Sequence, residues 1–290
     1  MALQQIWITN IEKNIYMIDY KDKMAMLVLS CDKYSDLWDD FFNLRDRFWP
    51  DCQYKWYVVT ESKDYKREGV EVIKCGSDLN WAGRFRKAVL HVDTPYIGLY
   101  LEDYFISEKV DSGIIEQLLQ IMEENNVTLI NTSDVFYRSI NQPNKQYFAE
   151  HLINIPNNMM YGISTESAIW ERNYLLEKIG DKDYSAWQFE IDRCNEARSE
   201  KGLGGFNLCD ERMPFHVSID PVVIQGKFYP RAKKYFKKKG YAILSDRECM
   251  STFDVFKYDL KVKLSKVKHG RKFLKWIGRN LFGIKFFTEG

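Results

Sequence analysis

The sequence has none of the short glycine signatures that mark the commonest nucleotide and hydrolase sites. It contains no GxxxxGKS/T loop, no GxGxxG after an apolar run and no GxSxG elbow. That excludes a P-loop, a dinucleotide fingerprint and an α/β-hydrolase nucleophile. Its cysteines, Cys31, Cys52, Cys75, Cys194, Cys209 and Cys249, form no CxxC pair, and its histidines are scattered. A structural zinc site is therefore not expected, and the thiols read as reduced, as in a cytosolic protein. No run approaches the roughly 20 apolar residues that span a bilayer. The opening MALQQIWITNIEKNIYMIDYKDK lacks the apolar stretch of a signal peptide. These absences point to a cytoplasmic location.

What is present is an ordinary globular balance of 45% hydrophobic and 29% charged residues, with a high aromatic share of 15%. A chain of 290 residues is long enough for one large domain or two small ones. The net charge of +1 conceals a split. Residues 1–226 carry 24 Lys and Arg against 36 Asp and Glu, whereas residues 227–290 carry 18 against 5. An acidic body with a basic end is the distribution of a soluble domain with an electrostatic anchor, not of a domain that binds nucleic acid along its length.

The first half alternates apolar runs with helical patterns. Met24–Ser30, Lys55–Thr60, Val70–Cys75, Tyr96–Leu101 and Val127–Asn131 read as strands, and Ser35–Phe48, Asn80–Val92 and a stretch from the Asp111 cap to Glu124 as helices. This order predicts an α/β fold with a mostly parallel central sheet flanked by helices. Ligands of such sheets bind at the carboxyl ends of the strands, which places Cys31–Tyr34, Cys75–Asn80 and Glu102–Phe105 on one rim. The second half is less regular. Gln142–Asn158 reads as loop-rich and Ser167–Ile179 as helical, Tyr184–Glu196 carries Trp187, Phe189 and Glu190, KGLGG at 201–205 reads as a break and Val222–Ile224 as a short strand.

Four constellations could carry chemistry. In YIGLYLEDYF an apolar strand ends in the carboxylates Glu102 and Asp103, hard-oxygen ligands for Mg²⁺ or Mn²⁺. In DLNWAGR, from Asp78 through Trp81 to Arg84, a helix start offers free N–H groups to a phosphate. In SAWQFE, Glu190 lies among large aromatics, where desolvation can fit a carboxylate for general-base work. In VIQGKFYP, Gly226 permits close approach and Lys227 can reach a phosphate. Each has a plain alternative: a solvated strand end, a core Trp beside a surface ion pair, a helix with an exposed Glu, and a chance Gly-Lys pair.

Their order along the chain resembles the GT-A-fold glycosyltransferases of bacterial surface-polysaccharide synthesis, capsular or O-antigen. The resemblance runs through LVLSCDKYSDLWDDFF, YKWYVVTES, LNWAGRFRKAVLHVDTPYIGLYLEDYFI, SAIWERNYL, SAWQFE and VIQGKFYP, over roughly Met24–Pro230. It implies a donor site for a nucleotide-diphosphate sugar, a UDP-sugar foremost, built from Ser30, Asp32, Tyr34, Asp78, Trp81, Arg84, Glu102 and Lys227. It implies Mg²⁺ or Mn²⁺ at Asp103 and Glu102, Glu190 and Asp103 as catalytic carboxylates, and an acceptor side lined by Trp170 and Trp187. The acceptor would be a glycan or a lipid-linked glycan, the stereochemistry inverting, and no nucleic-acid partner is expected. The acids here are adjacent, where the family's usual motif is Asp-x-Asp. Two other classes remain open on the sequence: a GT-A-like binding module without turnover, and a nucleic-acid-binding protein acting through its basic end.

The resemblance divides the chain into a catalytic domain over 1–230, with a nucleotide half near 24–131 and an acceptor half near 132–230, and a basic extension over 231–290. Between Arg271 and Phe287, Phe273, Ile277, Leu281 and Ile284 fall at helical spacing, with Lys272, Lys275 and Arg279 on another face. That pattern predicts an amphipathic helix lying on an anionic membrane surface, which would hold the protein at the inner face of the plasma membrane.

Overall fold

The computed structural model describes residues 20–133, 145–218 and 221–266. The amphipathic pattern expected over Arg271–Phe287 lies outside the described residues. Eleven strands and seven α-helices are described: β1 Met24–Leu29, α1 Trp38–Phe48 after a 3-10 turn at Asp32–Leu37, β2 Lys55–Thr60, β3 Val70–Lys74, α2 Trp81–His91, β4 Tyr96–Leu101, α3 Ser112–Asn125 and β5 Leu129–Asn131. There follow β6 Tyr147–Ala149, β7 Leu152–Asn154, β8 Ala168–Glu171, α4 Arg172–Ile179, α5 Ala186–Arg198, β9 Asn207–Asp210, β10 Val223–Ile224, β11 Lys227–Phe228, α6 Pro230–Lys238 and α7 Thr252–Lys266.

Nine strands form one sheet in the order β3-β2-β1-β4-β8-β5-β9-β7-β6. Side chains alternate across β1 because successive Cβ atoms of a strand point to opposite faces. Met24, Met26 and Val28 join a core with Phe41 and Phe42 of α1, Leu118 of α3 and Phe236 of α6. Ala25, Leu27 and Leu29 join the other core with Phe85 of α2, Leu175 of α4 and Phe189 of α5. The result is three layers with helices on both faces, the expected α/β class. Both faces of β1 are covered, which is why its sequence is continuously apolar.

The parallel expectation needs correction beyond β4. Strands β3, β2, β1 and β4 are parallel, as are β5 and β9. The pairs β4–β8, β5–β8, β7–β9 and β6–β7 are antiparallel. The register of Asn131 and Leu99 with Ala168 shows the cause: β8 begins at the end of the sheet where β4 and β5 finish, so it runs back between them. The segment expected as one helix over Ser167–Ile179 is thus strand then helix. Glu171 makes the switch, its carboxylate accepting the Asn173 and Tyr174 N–H groups at 2.9 and 2.6 Å to cap α4. The loop expected at Gln142–Asn158 contains the β6–β7 hairpin, and β9 was not expected at all.

The packing does not break at the boundary expected at residue 230. Ala232 and Phe236 of α6 are fully buried in the first core, and Met250 joins them. The chain after α6 then returns across α1. Asp40, which has no exposure, accepts the Tyr241 hydroxyl at 2.8 Å and the Leu244 and Ser245 N–H groups at 2.8 and 2.9 Å. One turn earlier Asp36 accepts from the Ser245 hydroxyl at 2.6 Å and from the Arg247 guanidinium. Residues 241–247 form a strap bound by carboxylates of the first helical segment. Replacing Asp40 by Ala strands three donors, of which the Ser245 N–H is buried, each lost charged hydrogen bond being worth about 1.5–3 kcal/mol. We expect Asp40→Ala to lower stability by at least about 2–3 kcal/mol in urea unfolding and to open the strap to proteolysis near Lys239 in the native protein. An unchanged midpoint and cleavage pattern would refute this account of the strap.

Candidate active site

The carboxyl ends of β1, β2, β4, β5 and β9 and the start of β8 share one rim. At its centre β4 ends in Glu102, Asp103 and Tyr104. Glu102 is buried, while Asp103 and Tyr104 are half-buried. Burial raises the Glu102 pKa far above the carboxylate range, and the adjacent Asp103 charge raises it further. The Ser30 hydroxyl hydrogen-bonds Glu102 and, with Arg247, works in the opposite direction. Burial likewise raises Asp103, again against Arg247. The Tyr104 phenol is pushed well above its ordinary value by burial first, and then by Glu166, Asp103, Glu190 and Glu102. Four carboxylates from three stretches of chain thus bear electrostatically on one phenol.

Two of the four come from the far side of the rim. Glu190 projects from α5, a helix capped by the Ser185 hydroxyl, and accepts a hydrogen bond from Thr165 at 3.1 Å. Glu166 is buried just before β8 and accepts the Ser133 hydroxyl at 3.0 Å. The structure thus brings together Ser30, Glu102, Asp103 and Glu190 of the residues expected from sequence. Glu166 and Thr165 were missed, because reading them as rim residues requires recognising β8 as a strand.

The remaining expected donor residues are engaged otherwise. Asp32 does not face an open site: its carboxylate takes the Ser62 hydroxyl at 2.6 Å and the Glu61, Ser62 and Lys63 N–H groups, which lock the loop after β1 to the loop after β2. The α2 N-terminus is not open to a phosphate either. Asp183 accepts the Asn80 and Gly83 N–H groups at 2.7 and 2.9 Å. Trp81 packs on Phe85 and Phe189, joining α2 to α5. Arg84 is held by Glu61 at 3.0 Å and by the Leu79 carbonyl. Asp78 is exposed on the loop after β3. Trp170 is 1% exposed within the second core, so it lines no surface, whereas Trp187 is 78% exposed.

Among the described residues, the cation whose charge acts on Glu102 and Asp103 is Arg247. Lys227 is half-buried and pairs with Glu248 at 2.7 Å. Arg247 lies 4.4 Å over the Tyr34 ring, donates to the Gly226 and Lys33 carbonyls at 3.0 Å and pairs with Asp36. Its charge acts on both Glu102 and Asp103. One face of Tyr34, expected to stack on a base, is thereby covered by a guanidinium. Nothing local in DREC, the sequence around Arg247, marks it; the strap alone brings it here.

Among the described residues no group of three or more His, Cys, Asp or Glu side chains is arranged to hold a metal ion. The Glu102–Asp103 pair nevertheless fits part of a Mg²⁺ or Mn²⁺ shell. Both are hard-oxygen donors with no ion pair among the described residues, and Mg²⁺ commonly takes one or two carboxylates, with waters and substrate phosphates completing its shell.

No family model matches the chain, and no curated protein matches it. Solved structures similar to it include a cytidylyltransferase from Leptospira borgpetersenii serovar Hardjo-bovis, at 11% identity and TM-score 0.41, over 79% of this chain and 99% of that one. TarS of S. aureus aligns at 10% identity and TM-score 0.40, over 65% of this chain and 35% of that one. The bifunctional IspDF of Campylobacter jejuni aligns at 12% identity and TM-score 0.34, over 64% of this chain and 49% of that one. The alignments span about half of IspDF and about a third of TarS. At these TM-scores the site has to be read from its own residues.

The raised carboxyls make a prediction about pH. A carboxyl whose folded pKa lies above its unfolded value binds more protons in the native state, so stability falls as pH rises between the two. Glu102 and Asp103 thus cost stability as pH rises from the ordinary carboxylate range into the neutral range, at about 1.4 kcal/mol per unit of displacement. We expect Glu102→Gln to melt higher than wild type at neutral pH, with the difference shrinking toward pH 4.5, the ordinary glutamate value. Parallel melting curves across that range would contradict the buried pair.

Proposed function

We propose that the chain is a glycosyltransferase that moves a sugar from a nucleotide-diphosphate donor, a UDP-sugar foremost, to a glycan or lipid-linked acceptor in bacterial surface-polysaccharide synthesis. The observation that carries this reading is two sets of acids on one rim: Glu102 and Asp103 at the end of β4, and Glu190 of α5, bonded to Thr165 three residues before β8, which starts where β4 ends. One side of the rim suits the diphosphate and the other the acceptor. The sequence resemblance over Met24–Pro230 supports the same assignment.

In this reading Glu190 takes the proton of the acceptor hydroxyl while its oxygen attacks the anomeric carbon. The bond from that carbon to the diphosphate oxygen breaks with inversion, and the nucleoside diphosphate leaves with the electron pair. Thr165, hydrogen-bonded to the Glu190 carboxylate, fixes its orientation. Arg247, aimed by Asp36 and the Gly226 carbonyl, offsets charge developing on the leaving group. Asp103 and Glu102 would hold Mg²⁺ or Mn²⁺, which when bound supplies further neutralisation of the diphosphate. Trp187 offers an exposed ring on the acceptor side, two residues after the α5 cap.

The decisive screen is thermal stabilisation by UDP-, GDP-, dTDP- and CMP-sugars with and without Mn²⁺, followed by transfer assays. A donor at 100 times its Kd adds about 2.7 kcal/mol. Glu190→Gln should lower kcat by about 10²–10⁴ with donor stabilisation retained. Asp103→Asn should remove most turnover, and Glu102→Gln should act in the same direction but less. If Glu190→Gln instead abolishes donor stabilisation, Glu190 is a donor ligand and the base lies elsewhere. Arg247→Ala should weaken donor binding about tenfold or more, the scale of a charged hydrogen bond, whereas Lys227→Ala should leave it unchanged. The reverse pattern would return the cationic role to Lys227.

A further inference from the structure

Helix α7, Thr252–Lys266, has two unlike faces. Val255 and Tyr258 are half-buried against the first core. The Tyr258 ring meets Tyr229 at 5.8 Å, and the Asp259 carboxylate accepts the Tyr229 hydroxyl at 3.1 Å and pairs with Arg231. These contacts seat the helix on the body beside the start of α6. The opposite face carries Phe253, Phe256 and Leu260, which are 63, 61 and 45% exposed. Their spacing of three and four residues places them in one stripe along the helix. Large apolar side chains exposed in such a row mark a docking surface more often than scattered single ones do.

The charges around the stripe indicate what covers it. Lys257, Lys261 and Lys263 are all exposed on the same helix, and the Lys257 ammonium lies 4.1 Å from the Phe253 ring centroid. The acids of α7 are engaged: Asp254 accepts the Ser251 hydroxyl at 2.8 Å, and Asp259 is bound to Tyr229 and Arg231. Asp254 offsets part of the Lys257 charge, and with three lysines beside it the stripe is flanked by net positive charge. A second copy of this face would oppose lysines to lysines. The following segment, 267–290, carries Lys268, Arg271, Lys272, Lys275, Arg279 and Lys285 against Glu289, so it too is repelled from the stripe. An occupant with an apolar interior and an anionic surface meets both requirements.

We propose that the Phe253–Phe256–Leu260 face of α7 docks on an anionic lipid surface. The three apolar side chains enter the headgroup boundary, and Lys257, Lys261 and Lys263 pair with lipid phosphates and carboxylates. The excess of acids over residues 1–226 turns the rest of the body away from the same surface, so docking also sets orientation. The assignment is independent of the glycosyl-transfer reading.

The test uses the full chain and vesicles of phosphatidylcholine alone or mixed with phosphatidylserine. Wild type should cosediment with the mixed vesicles at low salt and lose binding as salt rises. Phe253→Ser/Phe256→Ser/Leu260→Ser should lose at least about tenfold in partition. Lys257→Gln/Lys261→Gln/Lys263→Gln should lose about 100-fold, from about 1 kcal/mol per cation. Phe253→Leu/Phe256→Leu, which keeps the face apolar, should bind as wild type does and guards against a folding artefact. Binding by the serine variant equal to wild type, or no binding by wild type, would overturn the proposal. So would a dimer, or an oligonucleotide complex formed without vesicle binding, that the serine variant abolishes.

Discussion

A carboxylate with no exposure is costly unless several donors meet it. Asp40 meets three, and all of them lie on residues 241–245, about 200 positions further along the chain. This interaction joins the first helical segment to the return from α6, and the rim depends on the junction. Asp36 lies one helical turn before Asp40 and takes the next residues of the same strap, so the two acids fix its register as well as its position. Arg247 reaches the ring of Tyr34 only because residues 241–245 are already bound. A guanidinium forked between a carboxylate and two carbonyls has little freedom left, which is the preorganisation a charge-stabilising group requires.

The same dependence explains what could be read from the sequence. Lys55–Thr60 and Tyr96–Leu101 have the bounds expected from their apolar runs, and Asp111 caps α3 as its position suggested. Those elements are local: a strand covered on both faces has to be apolar throughout. The rule that ligands gather at carboxyl strand ends then located Glu102 and Asp103. It failed at β8 because AIWE runs without a breaker into a helix whose cap is the strand's own last residue, Glu171. Losing that strand concealed Glu166 and led Trp170, a core residue, to be taken for a surface one. The donor residues expected from the short motifs have partners that those motifs do not show. Asp32, Trp81 and Arg84 have suitable chemistry at a suitable place, but Ser62, Phe189 and Glu61 satisfy them, and satisfaction by distant partners leaves no mark in a short motif.

The electrostatics of the rim constrain any anionic ligand. The charges of Glu102, Asp103, Glu166 and Glu190 all act on Tyr104, while Arg247, whose charge acts on Glu102 and Asp103, is already paired with Asp36. A diphosphate brought against these carboxylates alone would meet net repulsion in a partly buried setting, where screening is weak. Two routes lower that cost: proton uptake, which the raised pKa values of Glu102 and Asp103 already favour, or a divalent cation placed between the two sets of oxygens. The routes oppose each other with pH, because a carboxylate that holds a proton cannot hold the metal. As pH rises the proton is lost, the bare pair repels itself more strongly, and the gain from a cation grows. In the proposed reaction, donor and metal affinity would consequently be coupled through the same two oxygen sets.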